Sequence, residues 1–356
     1  MNALKYVSLL LIIPLLTGCS EEMQRNLKPV PTAFGKINDI VIIADQDVWD
    51  GPVGDTIRYY YSSAYPLLPQ PEPMFDLRHF TSEDLNKDLL RRELRNYFIV
   101  ANMEDANSAT ADLIRQDIGA EKIRAAREAG KISPIVGKDK WANGQTIIYQ
   151  YDFSYDALIN SIVKHFPSVK KKFREADKVK IDATVYLDGE NRTVMNEVTD
   201  KMGVNIRIPK DYFLALSDGD VIWMRKETNV LSSNIIMKKL PYTDQAQLSK
   251  SGIKAIQDSI GRKYVSSTIP NTYMRINDVD LPLLTTVTTI NNRYAVEARG
   301  IWDIVNDYMG GAFVSYLIHN PDKNELLFID GFVHAPGEEK RDFMQQLEYI
   351  ISSVRF

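Results

Sequence analysis

Cysteine is almost missing from this chain: among 356 residues only Cys19 carries a thiol, so no internal disulfide can form. Histidine is scarce as well. The four are His79, His165, His319 and His334, and no pair has the spacing of a helical H-E-x-x-H metal site. Neither G-x-x-x-x-G-K-S/T nor G-x-G-x-x-G occurs, so phosphate-cradling loops lack support and no cofactor is expected. No G-x-S-x-G elbow announces a hydrolase nucleophile. An excess of one charge is absent too. With 43 basic and 47 acidic residues the net charge is -4, which argues against nucleic acid as a partner and against adhesion to anionic lipid by charge alone. Beyond the N-terminus no apolar run is long enough to span a bilayer.

The N-terminus itself is distinctive. A short start with one positive charge, Lys5, precedes an apolar run from Val7 to Leu16, broken by Ser8 and Pro14. The run ends in Leu16-Thr17-Gly18-Cys19. Charge, apolar stretch and small residues before a cut site make a secretory signal peptide, and the run falls short of the roughly 20 residues a spanning helix needs. The closing tetrapeptide resembles the lipobox of bacterial lipoproteins. It assigns residues 1–18 to the signal and makes Cys19 the lipidated first residue of the mature protein. Lipidation also accounts for a lone thiol in an exported chain. At about 0.8 kcal/mol per buried methylene, two or three acyl chains hold a protein firmly at a bilayer.

Ser20-Glu21-Glu22 follows the cysteine. Serine at the second mature position, in place of aspartate, points to the outer membrane. The acidic pair resembles a surface-export signal but is short, so periplasmic face and cell surface both stay open. From residue 19 to 36 no hydrophobic period appears, and Pro29 and Pro31 interrupt the stretch. It reads as an extended tether, reaching up to roughly 50 Å at about 3.1 Å per residue.

Residues 37–165 read as an N-terminal α/β domain. Ile40-Val41-Ile42-Ile43-Ala44 predicts a buried strand, and strands also follow from Phe75 to Phe80, Tyr97 to Met103 and Thr146 to Phe153. Helices are expected over Val53 to Ser62, over Ser82 to Arg95 and over Thr110 to Ala129, with Gly119 and Gly130 as stops. Residues 166–203 are charged and helical, and read as a connector. Residues 204–356 form a C-terminal α+β domain, with candidate strands that include Val204 to Ile208, Leu284 to Ile290, Arg293 to Ile301, Ala312 to His319 and Leu326 to Val333. A closing helix from Glu338 to Ser353 carries Phe343, Leu347, Ile350 and Ile351 at helical spacing. The expected class is α+β: two α/β sandwich-like domains, the second a mainly antiparallel sheet with helices on one face.

Several segments together carry a resemblance. They are the lipobox, Val204-Asn205-Ile206-Arg207-Ile208-Pro209 leading into Tyr212, and Gly331-Phe332-Val333-His334-Ala335-Pro336-Gly337 before the Lys340-Arg341 helix. With the total length, they resemble an uncharacterised Bacteroidota lipoprotein family described only as a domain of unknown function. Its motifs are structural and imply no active site. The closing strand and helix are also loosely similar in shape to sandwich domains of the photosystem oxygen-evolving accessory type.

Two clusters stand as candidate sites. Asp45, Asp47, Asp50 and Asp55 follow the first strand, where ligands bind in open α/β sheets, and carboxylates there could hold Ca²⁺ or Mg²⁺. Their spacing misses the EF-hand loop, and helix capping explains the same residues. Trp49, Tyr59, Tyr60, Tyr61 and Tyr65 run into a proline loop and could form a binding surface, or could cover the core. The expectation is a lipid-anchored outer-membrane lipoprotein acting as a non-catalytic binding or accessory subunit. Its partners would be the membrane, through the N-terminal lipid, and an envelope protein. The alternatives are an envelope hydrolase built from scattered Asp, His and Ser, and a glycan-binding module using the Tyr/Trp surface.

Overall fold

The computed structural model describes residues 30–356. Cys19, the signal segment and the first part of the tether lie outside the described residues. The later part of the predicted tether is already on the first domain: Thr32 bridges to Asn143 and Phe34 to Leu94, both parallel.

The first domain runs β1 (Asp39–Ile43), α1 (Gln46–Asp50), α2 (Pro52–Tyr61), β2 (Asp76–Phe80), α3 (Asp84–Lys87), β3 (Asn96–Asn102), α4 (Ala109–Ile118), α5 (Ala120–Glu128), β4 (Ile135–Lys138), β5 (Thr146–Asp152) and α6 (Tyr155–Val185). The sheet order is β2-β1-β3-β5-β4. The first four strands are parallel, and β4 joins the edge antiparallel. Parallel strands need crossovers, and those helices cover both faces. Ile40, Ile42, Phe98, Val100 and Ile148 pack on one face with Ile57 and Tyr61 of α2 and Leu158, Ile162 and Phe173 of α6. Val41, Ile43, Tyr97, Ile99 and Ile147 meet Ala111, Ile114 and Ile118 of α4 and Ile123 of α5 on the other. Each such fully buried side chain contributes about 1.5–3 kcal/mol. This two-sided burial is why β1 and β3 are apolar without alternation.

Two helix expectations change. The predicted helix from Ser82 to Arg95 shrinks to α3 and a 3₁₀ turn at Leu89–Glu93. Leu85 is buried and Leu94 packs partly buried on the same core, but Leu89 and Leu90 between them are exposed, so no continuous apolar stripe supports a longer helix. The helix expected over Thr110 to Ala129 divides at Gly119, whose φ of +93° separates α4 from α5.

The predicted connector is not a separate unit. α6 runs unbroken through Pro167, and its leading half packs on the first sheet. Then α7 (Arg192–Met202), capped by Asn191 and ended by left-handed Gly203, buries Val194, Val198 and Met202 in the second domain. The remaining elements are β6 (Phe213–Asp218), β7 (Val221–Glu227), β8 (Ser232–Pro241), α8 (Lys250–Tyr264), β9 (Tyr273–Asn277), β10 (Leu284–Ile290), β11 (Arg293–Val305), β12 (Gly310–Asn320), β13 (Glu325–His334) and α9 (Arg341–Ile351). The curled antiparallel sheet has order β10-β11-β12-β13-β8-β7-β6, with β9 paired to the far half of β11. Val204 to Ile208 forms no strand and makes a single bridge, Asn205 with Arg355. One face packs under α7 and α9. The sequence pattern predicts helices on one face only. α8 covers the other through Ile253 and Ile260, which meet Trp302, Phe313, Phe328 and Phe332. The architecture is mixed α+β in two domains.

Candidate functional site

The order of the first sheet reverses at β1, where α/β sheets bind ligands beyond the strand ends. Asp45 stands there, turned onto the start of α4. Its carboxylate accepts from the Thr110 amide at 3.2 Å, from the Thr110 hydroxyl at 2.9 Å and from the Ser108 hydroxyl. The other aspartates diverge. Asp47 is exposed, Asp50 accepts from Gln46 at 2.8 Å, and Asp55 pairs with Arg58 at 2.8 Å on the surface. Among the described residues no group of three or more His, Cys, Asp or Glu side chains is placed to hold a metal. What this arrangement can do is cap helices and pair surface charge.

The aromatic run also separates. Tyr61 is fully buried against Phe98, Tyr60 lies half-buried on Phe166, and Tyr59 is 75% exposed. Tyr65 is buried against the second domain. Trp49 stacks on His79 at 4.9 Å, with the Arg58 guanidinium 4.4 Å from its ring centre. Three successive helical residues point about 100° apart, so they cannot share a face. Three of the four histidines have partners within the fold: His79 contacts the Ala44 carbonyl, His334 the Gly310 carbonyl and His319 the Tyr242 ring.

The densest polar constellation lies at the seam between the domains, and the sequence reading missed it. The Glu72 carboxylate, in the proline loop, accepts from the backbone amides of Lys340 at 2.6 Å and Arg341 at 2.8 Å. It thus caps α9, whose own N-cap Lys340 supplies no side-chain acceptor. Buried Arg341 returns the contact, reaching Asp76 at 2.8 Å and the Pro73 carbonyl at 2.8 Å. Asn38 and Gln345 exchange amide hydrogen bonds of 2.9 and 3.0 Å. The backbone N–H of Asn38 donates to Asp177 at 2.8 Å, which pairs with Arg95 at 3.1 Å. Burial raises the Asp177 carboxyl above its usual range, and Arg95 opposes that shift.

A second charged group sits beside it. Arg299 donates to Glu297 at 2.5 Å and to Glu348 at 2.6 Å, and Tyr65 hydrogen-bonds the same Glu348. Burial alone would lower the Arg299 guanidinium, but the Glu348 charge and hydrogen bond outweigh it and hold it above the ordinary value. Burial, with Glu297 and Glu348 adding, pushes Tyr316 well up. A cavity of about 220 Å³ opens here, lined by Arg174, Asp177, Tyr316, Glu348 and Tyr349 among others, and by no histidine. These groups neutralise one another. Removing one partner of such a buried pair costs about 3–5 kcal/mol, so the chemistry present is that of a lock. The signal that could have found it is weak: Glu72 is a carboxylate inside a proline loop, and Lys340-Arg341 opens a helix where acids are the usual residues.

A larger groove, about 720 Å³, lies next to the seam and shares Arg95 with it. Thr32 to Gly35, β4 and the outer face of α6 line it.

Comparison with known families follows these two bodies. Residues 33–185 match the family model described as Domain of unknown function (DUF8532), and residues 191–353 match that described as Domain of unknown function (DUF4837). Together the two matches span most of the chain. Its division falls between residues 185 and 191, where α6 ends and α7 begins. No curated protein matches the sequence. Among solved structures, the Ran-binding protein Mog1p of Saccharomyces cerevisiae overlaps 43% of this chain and 89% of its own, at 9% identity and a TM-score of 0.29. LpqN of Mycobacterium tuberculosis, described as involved in cell envelope biogenesis, overlaps 42% and 81%, at 11% identity and a TM-score of 0.27. The human StarD13 lipid transfer and protein localization domain overlaps 46% and 92%, at 9% identity and a TM-score of 0.21. Overlaps this slight carry no argument about function. Among the described residues no helix is long and apolar enough to cross a membrane.

Proposed function

We propose that this protein is a lipid-anchored lipoprotein of the bacterial outer membrane, acting by binding as an accessory subunit of an envelope complex. The carrying observation is Leu16-Thr17-Gly18-Cys19 after an apolar run, with Cys19 the only thiol of the chain. The disposition of the ionisable groups supports a non-catalytic role. The buried acids and bases at the seam are spent on one another and on the helix cap of α9. A two-domain body on a lipid anchor suits presentation of a surface to a membrane-bound partner.

Two measurements test this. Cys19→Ala should move the protein from the membrane to the soluble fraction, and a variant still wholly in the membrane would contradict the anchor. A mild-detergent pull-down of the tagged lipoprotein should recover defined envelope proteins, and recovery of the monomer alone would count against the accessory role.

A further inference from the structure

We propose that the groove between residues 32–35, β4 and α6 is a membrane-seating face, by which the first domain settles into the headgroup region of an anionic bilayer. The inference rests on the lipid-anchor reading and adds an orientation to it.

The face combines two chemistries that a bilayer interface recognises. Its apolar part is Phe34, 49% exposed, Val136, 43% exposed, and Val179, 77% exposed, each on a different segment of the groove. Exposed apolar side chains from three separate segments in one concavity are more than scattered surface hydrophobes. Lys138 and Lys180 line the same groove, and among the described residues neither has an ion-pair partner. Of the other charges there, Arg95 pairs with Asp177 and Lys172 with Glu175, while Asp139 keeps its negative charge and accepts from the amides of Gly144 and Gln145. Two unpaired lysines against the single carboxylate of Asp139 leave the groove positive by one charge, although the chain as a whole is acidic. Apolar side chains ringed by lysines are the pattern of interfacial binding, in which burial in the acyl boundary and attraction to anionic lipid add.

Position supplies the argument for a bilayer over another occupant. Val30, where the described chain starts, is tied to the groove rim: Asn143 donates to its carbonyl, and Ala33 donates to Asn143. Eleven residue steps separate Val30 from Cys19, so even fully extended at about 3.6 Å each the rim lies within about 40 Å of the lipidated residue. The anchor thus keeps this face near the membrane at high effective concentration, where weak surface affinity suffices.

The test uses the full lipidated protein reconstituted in vesicles of phosphatidylethanolamine and phosphatidylglycerol. With Cys19 acylated, Val179→Cys supplies the sole free thiol for an environment-sensitive fluorophore, and Val279→Cys in the second domain is the control. The expected result is a blue-shifted label at 179, quenched by spin-labelled lipid, with neither effect at 279. Lys138→Glu with Lys180→Glu should abolish the shift while the protein stays on the vesicles, and phosphatidylcholine vesicles should weaken it. Vesicle-bound protein whose 179 label is as wet as the 279 label would overturn the seating face. An unchanged shift on phosphatidylcholine would overturn the role given to the lysines. Protein that fails to join vesicles at all, with two free thiols per chain, would instead overturn the anchor.

Discussion

Removing Glu72 should loosen the contact between the two domains. It reaches from the proline loop of the first domain to the first turn of α9, which lies on the second sheet. Its carboxylate is buried and receives two backbone N–H bonds of 2.6 and 2.8 Å. A hydrogen bond to a charged group contributes about 1.5–3 kcal/mol, and a buried donor left unpaired costs a similar amount. Partial hydration of the freed amides offsets some of this, so Glu72→Ala should cost about 2–4 kcal/mol. Glu72→Gln keeps one acceptor but turns an N–H toward another N–H, and should cost about half as much. Because one tenfold change corresponds to about 1.4 kcal/mol, amide exchange over the first turn of α9 should quicken roughly 30- to 1,000-fold in Glu72→Ala. Hydrogen exchange read by mass spectrometry reports this locally, without assuming that both domains unfold together. Exchange in that turn within about threefold of the native protein would refute the reasoning.

Two further outcomes follow from the second domain. Asp330, 3% exposed, sits between the sheet and α8, where Gln257 donates to one oxygen at 3.2 Å and the other has no partner. Burial raises its carboxyl well above the usual range, so the folded protein keeps a proton that the unfolded chain releases near about pH 4. Its stabilising contribution is complete below that pH and declines as pH rises toward the folded value, by up to about 1.4 kcal/mol per unit. Urea midpoints between about pH 5 and 8 should fall in the native protein and flatten in Asp330→Asn, and parallel curves would contradict this. Gly311 leaves no room for a side chain: a Cβ there would lie 1.8 Å from the Val333 carbonyl oxygen, which accepts from the Trp302 indole at 3.2 Å. Gly311→Ala should destabilise by about 3 kcal/mol or more, with Trp302 fluorescence altered, and an unchanged unfolding midpoint would count against the packing described.

The first sheet was legible because its strands are apolar runs bounded by polar turns. Ile40 to Ala44 and Tyr97 to Met103 were each placed within one residue of β1 and β3. The closing helix was legible from Leu347, Ile350 and Ile351, all buried as their spacing implied. What failed was composition without a burial partner. Leu89 and Leu90 look like a helical stripe, yet no surface waits for them. Charge misled over residues 166–203: the lysines of α6 face solvent, while Val169, Phe173 and Ile181 carry the packing. The strand read over Val204 to Ile208 is a buried extended segment that pairs through one residue only. The seam was invisible because its pairs join residues up to 307 positions apart, such as Asn38 and Gln345, and no local pattern encodes such a contact. The aspartates after β1 were located at the strand end, but whether four carboxylates converge depends on the turn that follows. Here α1 and α2 carry Asp47, Asp50 and Asp55 apart.

The most direct test of the lipid-anchor account is the mass of the mature N-terminal peptide. Protein extracted from membranes of the native host should begin at Cys19, with a diacylglyceryl thioether on its sulfur and, where the amine is also acylated, a third chain. A mature N-terminus at any other residue, or a Cys19 peptide with an unmodified thiol, would contradict it.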